Sequence, residues 1–322
     1  MKRYDDILIP MAFPNSRIFM PDQWYRPILH KLGYNRDNMT SLGHSLILLI
    51  EASSGKVIYT DFGRYSVPDN FSRARLHIED PLLKVPIQAN IKDGLVQNVE
   101  ELMKWVLHAE DLHHSSGPLY YKQLPNANFE DAYAYAKHMC LRGYIRYDII
   151  GKENSNCSRY VRSIILKSLD PSNIDWTYRK TIITPTPVDN VFYNYRKNGY
   201  WIYDGSKFSK HAHKILDSYR FYDGKREIHH KKKEIIQYDD KQWLYCFGVG
   251  AYFNYDFIDA DQLILHKYDI NGTLESSRKH RVVEGALSTD IEYEIAYGSS
   301  PKEYTLLREG QKVALIQRIT SS

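Results

Sequence analysis

The first half of the chain alternates short apolar runs with helical stripes. Ile7 to Phe13 reads as a strand, and Trp24 to Leu32 as a short helix after Pro21-Asp22. From His44 to Glu51, Leu46, Leu48 and Ile50 fall on one face and Ile47 and Leu49 on the other. A run apolar on both faces predicts a central strand covered from both sides. Ala52-Ser53-Ser54-Gly55 supplies a turn, and Lys56 to Phe62 returns as its partner. Three helical stripes follow. Val99, Leu102, Met103, Val106 and Leu107 lie behind Asn98, with Glu101 where a capping box wants an acid. Phe129, Ala132, Tyr133, Ala136, Met139 and Cys140 lie behind Asn128. The third stripe begins near Cys157, runs through Val161, Ile164 and Ile165, and stops before Pro171. Tyr144 to Ile150 reads as a strand between the last two helices.

The pattern changes near residue 185. Thr184-Pro185-Thr186-Pro187 breaks the chain, and aromatic strand-like runs replace the helical stripes: Val191 to Tyr195, Tyr200 to Tyr203, Trp243 to Phe247 and Ala251 to Phe257. Leu263 to Ile270, Glu292 to Tyr297 and Lys312 to Ile319 continue the series, and Asn271-Gly272 is a hairpin signal. The expectation is an α+β protein. An antiparallel sheet packed on helices occupies residues 1–184, and a β-rich, Tyr-rich accessory module occupies 185–322.

Composition narrows the classes. The 322 residues are 43% hydrophobic and 25% charged, which excludes wholesale disorder. A formal charge of +4 gives no reason to expect a nucleic-acid partner. The 27 tyrosines favour sheet surfaces and clefts, because a tyrosine joins an apolar ring to a hydrogen-bonding tip. No apolar run is long enough to cross a bilayer, and the Ile7–Phe13 stretch, broken by Pro10, is too short for a secretory leader. Three widely spaced cysteines make no disulfide framework. A protein of the reducing cytoplasm is expected, with leaderless export left open.

The chemistry concentrates at Cys157. A cysteine in the first turn of a helix meets the positive end of the macrodipole and unpaired N–H groups. Both favour thiolate over thiol, and the same N–H groups can receive an oxyanion. Cys140, within an apolar helical stripe, and Cys246, within an aromatic strand, read as packing residues. A thiol nucleophile needs a proton acceptor. His44 opens a buried strand directly after Gly43. If the turn pairs Glu51 with Lys56, Leu46 faces Asp61 and His44 faces Gly63, so Asp61 lies diagonal to His44 on the same face. Cys157 would be the nucleophile, His44 the base and Asp61 its orienter. A slip of one residue would turn Asp61 away.

Gly43-His44 opening a hydrophobic strand, a second strand after a tight turn, and Asn156-Cys157-Ser158-Arg159-Tyr160-Val161 opening a helix together resemble the circularly permuted NlpC-like branch of the papain superfamily. The Asn-Cys segment is similar to the Asn-Cys-Glu-His-Phe-Val signature of the lecithin:retinol acyltransferase group. The whole pattern also resembles an uncharacterised bacterial family with both features. The resemblance covers roughly residues 5 to 180 and implies a permuted papain-like domain. In it Cys157 attacks a carbonyl to form an acyl-enzyme, served by His44, with Asp61 as third residue. Two departures stand out. His44 and Cys157 are 113 positions apart, which implies inserted helices, and the third residue is Asp where the lipid-handling members commonly have His.

Other candidates carry less. Asn156 and Ser158 flank the nucleophile as possible substrate contacts. Arg64, just past Asp61, suits a substrate carboxylate or phosphate and equally a structural salt bridge. Lys225-Arg226 and His229 to Lys233 form a basic patch, read as a solvated loop. His113-His114, His211/His213 and His229-His230 lack cysteines at zinc spacing, and Lys267 spoils the resemblance of Asp269–Gly272 to a calcium loop. No metal or cofactor is expected.

The reading that follows is a thiol hydrolase or acyltransferase acting on an amide or ester in a peptide, murein or lipid. The competing class is a non-catalytic binding protein that uses its aromatic β module as the working surface. A third reading is an effector enzyme delivered between cells.

Overall fold

The protein was analysed as a computed structural model that describes residues 3–16, 18–19, 39–40, 43–65, 67, 71–80, 83–109, 113, 115, 117–148, 153–180, 185–192, 199–212, 238–244, 251–268, 272–296 and 303–319. The chain is mixed α+β with antiparallel sheets, and its contacts divide it into two units. The first comprises residues 1–63 and 70–229, the second 64–69 and 230–322. The boundary near 229 differs from the expected one at 184. The hairpin Tyr200–Tyr203/Phe208–His211 pairs through Tyr200–Tyr203 with Leu119–Tyr121 and so extends the first sheet.

That sheet runs, strand by strand, Ile145–Arg146, Phe71–Arg75, Lys56–Gly63, His44–Glu51, Asp6–Phe13, Leu119–Tyr121, Tyr200–Tyr203 and Phe208–His211, with Leu124–Ala127 also pairing to Asp6–Phe13. The His44 strand is central and buried on both faces, as its two-sided apolar pattern requires. Ile47 and Leu49 join Ile58, Phe62 and the inner stripes of the helices Phe129–Leu141 and Cys157–Ser168 in one core. Leu46, Leu48 and Ile50 join Ile7, Ile9, Met11, Tyr59 and the helix Val99–His108 in the other. Burying two faces of one strand fixes its register tightly, because a one-residue slip would exchange the two cores.

The expected pairing holds: Glu51 lies opposite Lys56 and Leu46 opposite Asp61. All three helices form where their periodicity placed them. Asn128 and Asn156 each cap by accepting the N–H three residues on. Asn98 does not cap. Its side chain instead accepts from the Asn90 N–H and donates to the Gln88 carbonyl and Glu101, tying the helix start to the preceding loop. The expected strand Tyr144–Ile150 shortens to Ile145–Arg146. The run beginning at Val191 is part of the short helix Asp189–Phe192, because Pro187 and the Thr186–Asp189 hydrogen bonds start a turn there. Phe71–Arg75 is a further strand, one with no counterpart among the sequence expectations. The Trp24–Leu32 helix, Cys246, the basic patch at 225–233, His114, His213 and Asp269–Asn271 lie outside the described residues.

The second unit contains a seven-stranded antiparallel sheet of described strands with its own core of Leu244, Phe253, Leu263, Leu265, Leu306 and Ile316. Strands Gln262–Tyr268 and Leu274–Gly285 pair across the Asn271-Gly272 signal, with Gly272 at φ +78°. No helix of the described residues is long and apolar enough to cross a membrane.

Gly43 delivers the chain into the central strand at φ +81°, where an added Cβ would sit 2.6 Å from the Phe13 carbonyl oxygen. Gly43→Ala should therefore cost more than the ~1–2 kcal/mol of a left-handed L-residue alone, because the clash is with backbone. Urea denaturation monitored by tyrosine and tryptophan fluorescence measures it, and an unchanged midpoint would contradict the geometry.

Candidate functional site

The site lies in the first unit, where the central strand begins. His44 is the first residue of its strand, opposite Phe13 in the neighbouring strand. Cys157 is the first residue of its helix, which packs on the Ile47/Leu49 face. That helix is held to the sheet by Tyr160, whose hydroxyl meets Thr60 Oγ1 at 2.5 Å while Thr60 donates to the Arg75 carbonyl. His44 and Asp61 belong to the alternate face by register, so base and nucleophile approach the strand end from opposite sides of the sheet.

The two side chains meet. A hydrogen bond joins His44 to Cys157, and the backbone N–H of Ser45 also donates to the sulfur. Burial works against charge on either group. The hydrogen bond and the charge of His44 outweigh it and lower the Cys157 pKa. For His44, burial lowers the pKa, but Asp61 and Cys157 overcome that loss and raise it to about 9. Both shifts run in the direction that favours a thiolate beside an imidazolium, the state a cysteine nucleophile needs. His44 Nε2 faces Asp61 at 3.7 Å.

Asp61 is fully buried and does more than face His44. Arg75 grips it with two bonds, Nε to Oδ1 at 2.9 Å and Nη2 to Oδ2 at 2.7 Å, and Tyr59 donates to Oδ2 at 2.8 Å. His44 Nε2 stands 3.7 Å from the same oxygen, beyond a good hydrogen bond and well within an ion pair. Burial would push the carboxyl up, but the Arg75 guanidinium, with His44, holds it far below the ordinary carboxylate range. Arg75 Nη1 also lies 3.7 Å from Asp80, which lies 3.9 Å from Arg73. Asp61 thus stands in the middle of a buried row of close ionisable side chains running from His44 to Arg73. Tyr59 and Arg75 escaped the sequence reading. The signal that could have found Arg75 is Asp61 itself, since a carboxylate on a buried strand face requires a cation opposite, and register places Arg75 there.

Around the sulfur, Ser158 Oγ lies 3.8 Å from Cys157 Sγ. Asn156 accepts from the Arg159 N–H and donates to the Asp148 carbonyl, so its amide is spent on shaping the helix start. That cap takes up the Arg159 N–H, one of the helix's first-turn donors. Arg64 is buried, directly after the strand that carries Asp61. Cys140 is a packing residue: buried, with its thiol donating to Glu79, and pushed up to about 12 by burial and that carboxylate. His113 stacks on Phe13, donates from Nε2 to the Val106 carbonyl and accepts the Ser115 N–H at Nδ1. Burial pushes it down to about 4, so it is neutral.

The second unit carries a superficially similar chain, Ser277 to His266 at 2.7 Å and His266 to Asp256 at 3.0 Å. These side chains form a row across adjacent strands, Asp256 is largely exposed, and the strands' N–H groups belong to the ladder. The row is a polar ladder across three neighbouring strands.

The imidazolium's contribution to stability is complete below about pH 6.5 and is lost as the pH rises through about 9. Asp61→Asn should bring the His44 titration down from about 9, followed by NMR of the ring protons, and raise the thiol's apparent pKa. Arg75→Met, which leaves Asp61 buried without its main counter-ion, should cost ~3–5 kcal/mol in urea denaturation. A loss below 1 kcal/mol would show the pair to be dispensable.

Comparison with known proteins places these residues in a family. No curated protein matches the chain. Among solved structures, the crystal structure of a type VI secretion system effector, TseH, aligns at 21% identity over 63% of this chain and 96% of its own, with a TM-score of 0.43. The family model of type VI secretion system effector TseH-like proteins matches residues 8–174, just over half of the chain, and spans His44, Asp61, Arg75 and Cys157. The chain belongs to the TseH-like family of type VI secretion system effectors.

Proposed function

We propose that this effector is a cysteine hydrolase that cleaves an amide or ester through an acyl-enzyme on Cys157. The observation that carries the proposal is the buried Cys157–His44 pair at a helix start, with its thiolate and imidazolium charges mutually stabilised. The resemblance of its Gly-His strand and Asn-Cys helix to the permuted NlpC-like branch of the papain superfamily supports the same chemistry, and the effector family supports a target in another cell.

The Cys157 thiolate attacks the substrate carbonyl carbon, and the carbonyl π electrons move onto oxygen. That oxyanion is received by the N–H groups of Cys157 and Ser158. The tetrahedral intermediate collapses, the carbon–nitrogen or carbon–oxygen bond breaks, and His44 protonates the leaving amine or alkoxide. A thioester and a neutral His44 remain. His44 then takes a proton from water as the water attacks the thioester, the carboxylic acid leaves, and the thiolate–imidazolium pair is restored. An acceptor amine or alcohol in place of water would make the same site an acyltransferase. Asp61, gripped by Arg75 and Tyr59, holds the imidazole and balances its charge.

The test uses limiting iodoacetamide followed by peptide mass spectrometry. Below pH 7, Cys157 should be labelled in preference to Cys140 by at least ~10-fold, given their opposite pKa shifts, and His44→Ala should abolish the preference. Expression in a susceptible bacterium, directed to the cytoplasm or the periplasm, should show Cys157-dependent toxicity in the compartment that holds the substrate. Uniform slow labelling together with toxicity that survives Cys157→Ala would overturn the hydrolase and favour a binding protein.

A further inference from the structure

Asn190 lies 16 residues beyond the family-matched segment, in the short helix Asp189–Phe192. Val188, Val191 and Phe192 anchor that segment in a separate apolar cluster with Ala12 and Tyr200. Asn190 is fully buried, and its amide makes three bonds in a fixed sense. Nδ2 donates to Ser45 Oγ at 3.2 Å and to the Ser158 carbonyl at 3.0 Å, and Oδ1 accepts from Tyr178 Oη at 2.7 Å. Flipping the amide would set oxygen against the Ser158 carbonyl oxygen, so the orientation follows from its partners. Ser45 passes the chain on by donating to the Met11 carbonyl at 3.3 Å.

Ser45 follows the base and Ser158 follows the nucleophile. We infer that Asn190 is a positioning residue of the Cys–His site, clamping the strand that carries His44 to the helix that carries Cys157. The clamp acts where the spacing matters most, because the Ser45 N–H is also a donor to the sulfur. Strand and helix lie in different elements 113 positions apart, and sub-ångström separation governs a hydrogen bond between their first side chains. Tyr178 fixes the amide from the far side and is itself buried. The site therefore extends past residue 174 into a segment that the sequence reading assigned to the accessory module.

This inference rests on the thiolate–imidazolium reading, and the test separates the two. The groups that act on the sulfur are His44, the Ser45 N–H and the Ser158 hydroxyl; Asp61, Arg75 and Tyr59 stand behind the imidazole, and His113, pushed down to about 4, faces it from beyond. Asn190 carries no charge, so any change it makes in the titration comes through geometry. The experiment measures the rate of Cys157 alkylation by iodoacetamide from pH 5 to 10 in the full chain, for wild type, Asn190→Ala and Tyr178→Phe, with circular dichroism to verify folding. Asn190→Ala should move the low-pH limb up by about one pH unit, a roughly tenfold slower reaction at pH 6. Tyr178→Phe, which frees the amide on one side only, should move it the same way by about threefold. A profile unchanged in both variants, with only the melting temperature lowered, would overturn the clamp. If Asn190→Ala does not fold, an unchanged Tyr178→Phe profile overturns it alone. A wild-type protein without the low-pH limb would instead defeat the thiolate reading.

Discussion

The site is organised around one constraint: Asp61 is an ionised carboxylate with no access to water. A charge in that position survives only if opposite charge surrounds it and its lone pairs are filled. Arg75 supplies two bonds, Tyr59 a third, and His44 a nearby positive charge. The consequence runs outward in both directions. On one side Arg75 needs Asp80, and Asp80 has Arg73. On the other, an imidazolium beside Asp61 makes a thiolate at Cys157 tolerable. From His44 the row alternates in residue type, imidazole, carboxylate, guanidinium, carboxylate, guanidinium, through Asp61, Arg75 and Asp80 to Arg73.

Much of this was legible in the chain. The two-sided apolar strand His44–Glu51 and the four-residue turn after it fix the register by themselves, and with it the face of Asp61. Three amphipathic helices declared themselves by period, and the asparagine before Cys157 announced a helix start. What stayed hidden was the strand Phe71–Arg75. Its arginines at positions 73 and 75 break any apolar alternation that could declare a strand. Both are buried: Arg75 against Asp61, 14 residues earlier, and Arg73 beside Asp80. Local pattern cannot report a partner of that kind, although the demand for one is visible once a carboxylate sits on a covered strand face. The Tyr200–His211 hairpin was misassigned to the second module for a related reason: aromatic strands look alike, and which sheet they extend is decided by a distant edge, Leu119–Tyr121. Asn190 went unnoticed because a buried amide in a short helix carries no periodic signature.

Charge balance also constrains how such a site can turn over. With the thiolate and imidazolium of the proposed mechanism, the six charges from Cys157 to Arg73 sum to zero. When the thiolate attacks, negative charge moves from sulfur to the substrate oxygen, near the first-turn N–H groups of the same helix, so the imidazolium keeps a counter-charge. When the leaving group departs with the His44 proton, sulfur is neutral as a thioester and the imidazole is neutral as well. The remaining four charges, Asp61, Arg75, Asp80 and Arg73, again sum to zero. The buried network is thus balanced in both stable states of the proposed cycle, and only the transfer between them is polarised. A site without Arg75 would carry an unbalanced carboxylate in the acyl-enzyme, and Asp61 would then compete with the substrate's leaving group for the His44 proton. In the proposed cycle Arg75 removes that competition: it holds the Asp61 carboxyl far below its ordinary range, too weak a base to take the proton that goes to the departing atom.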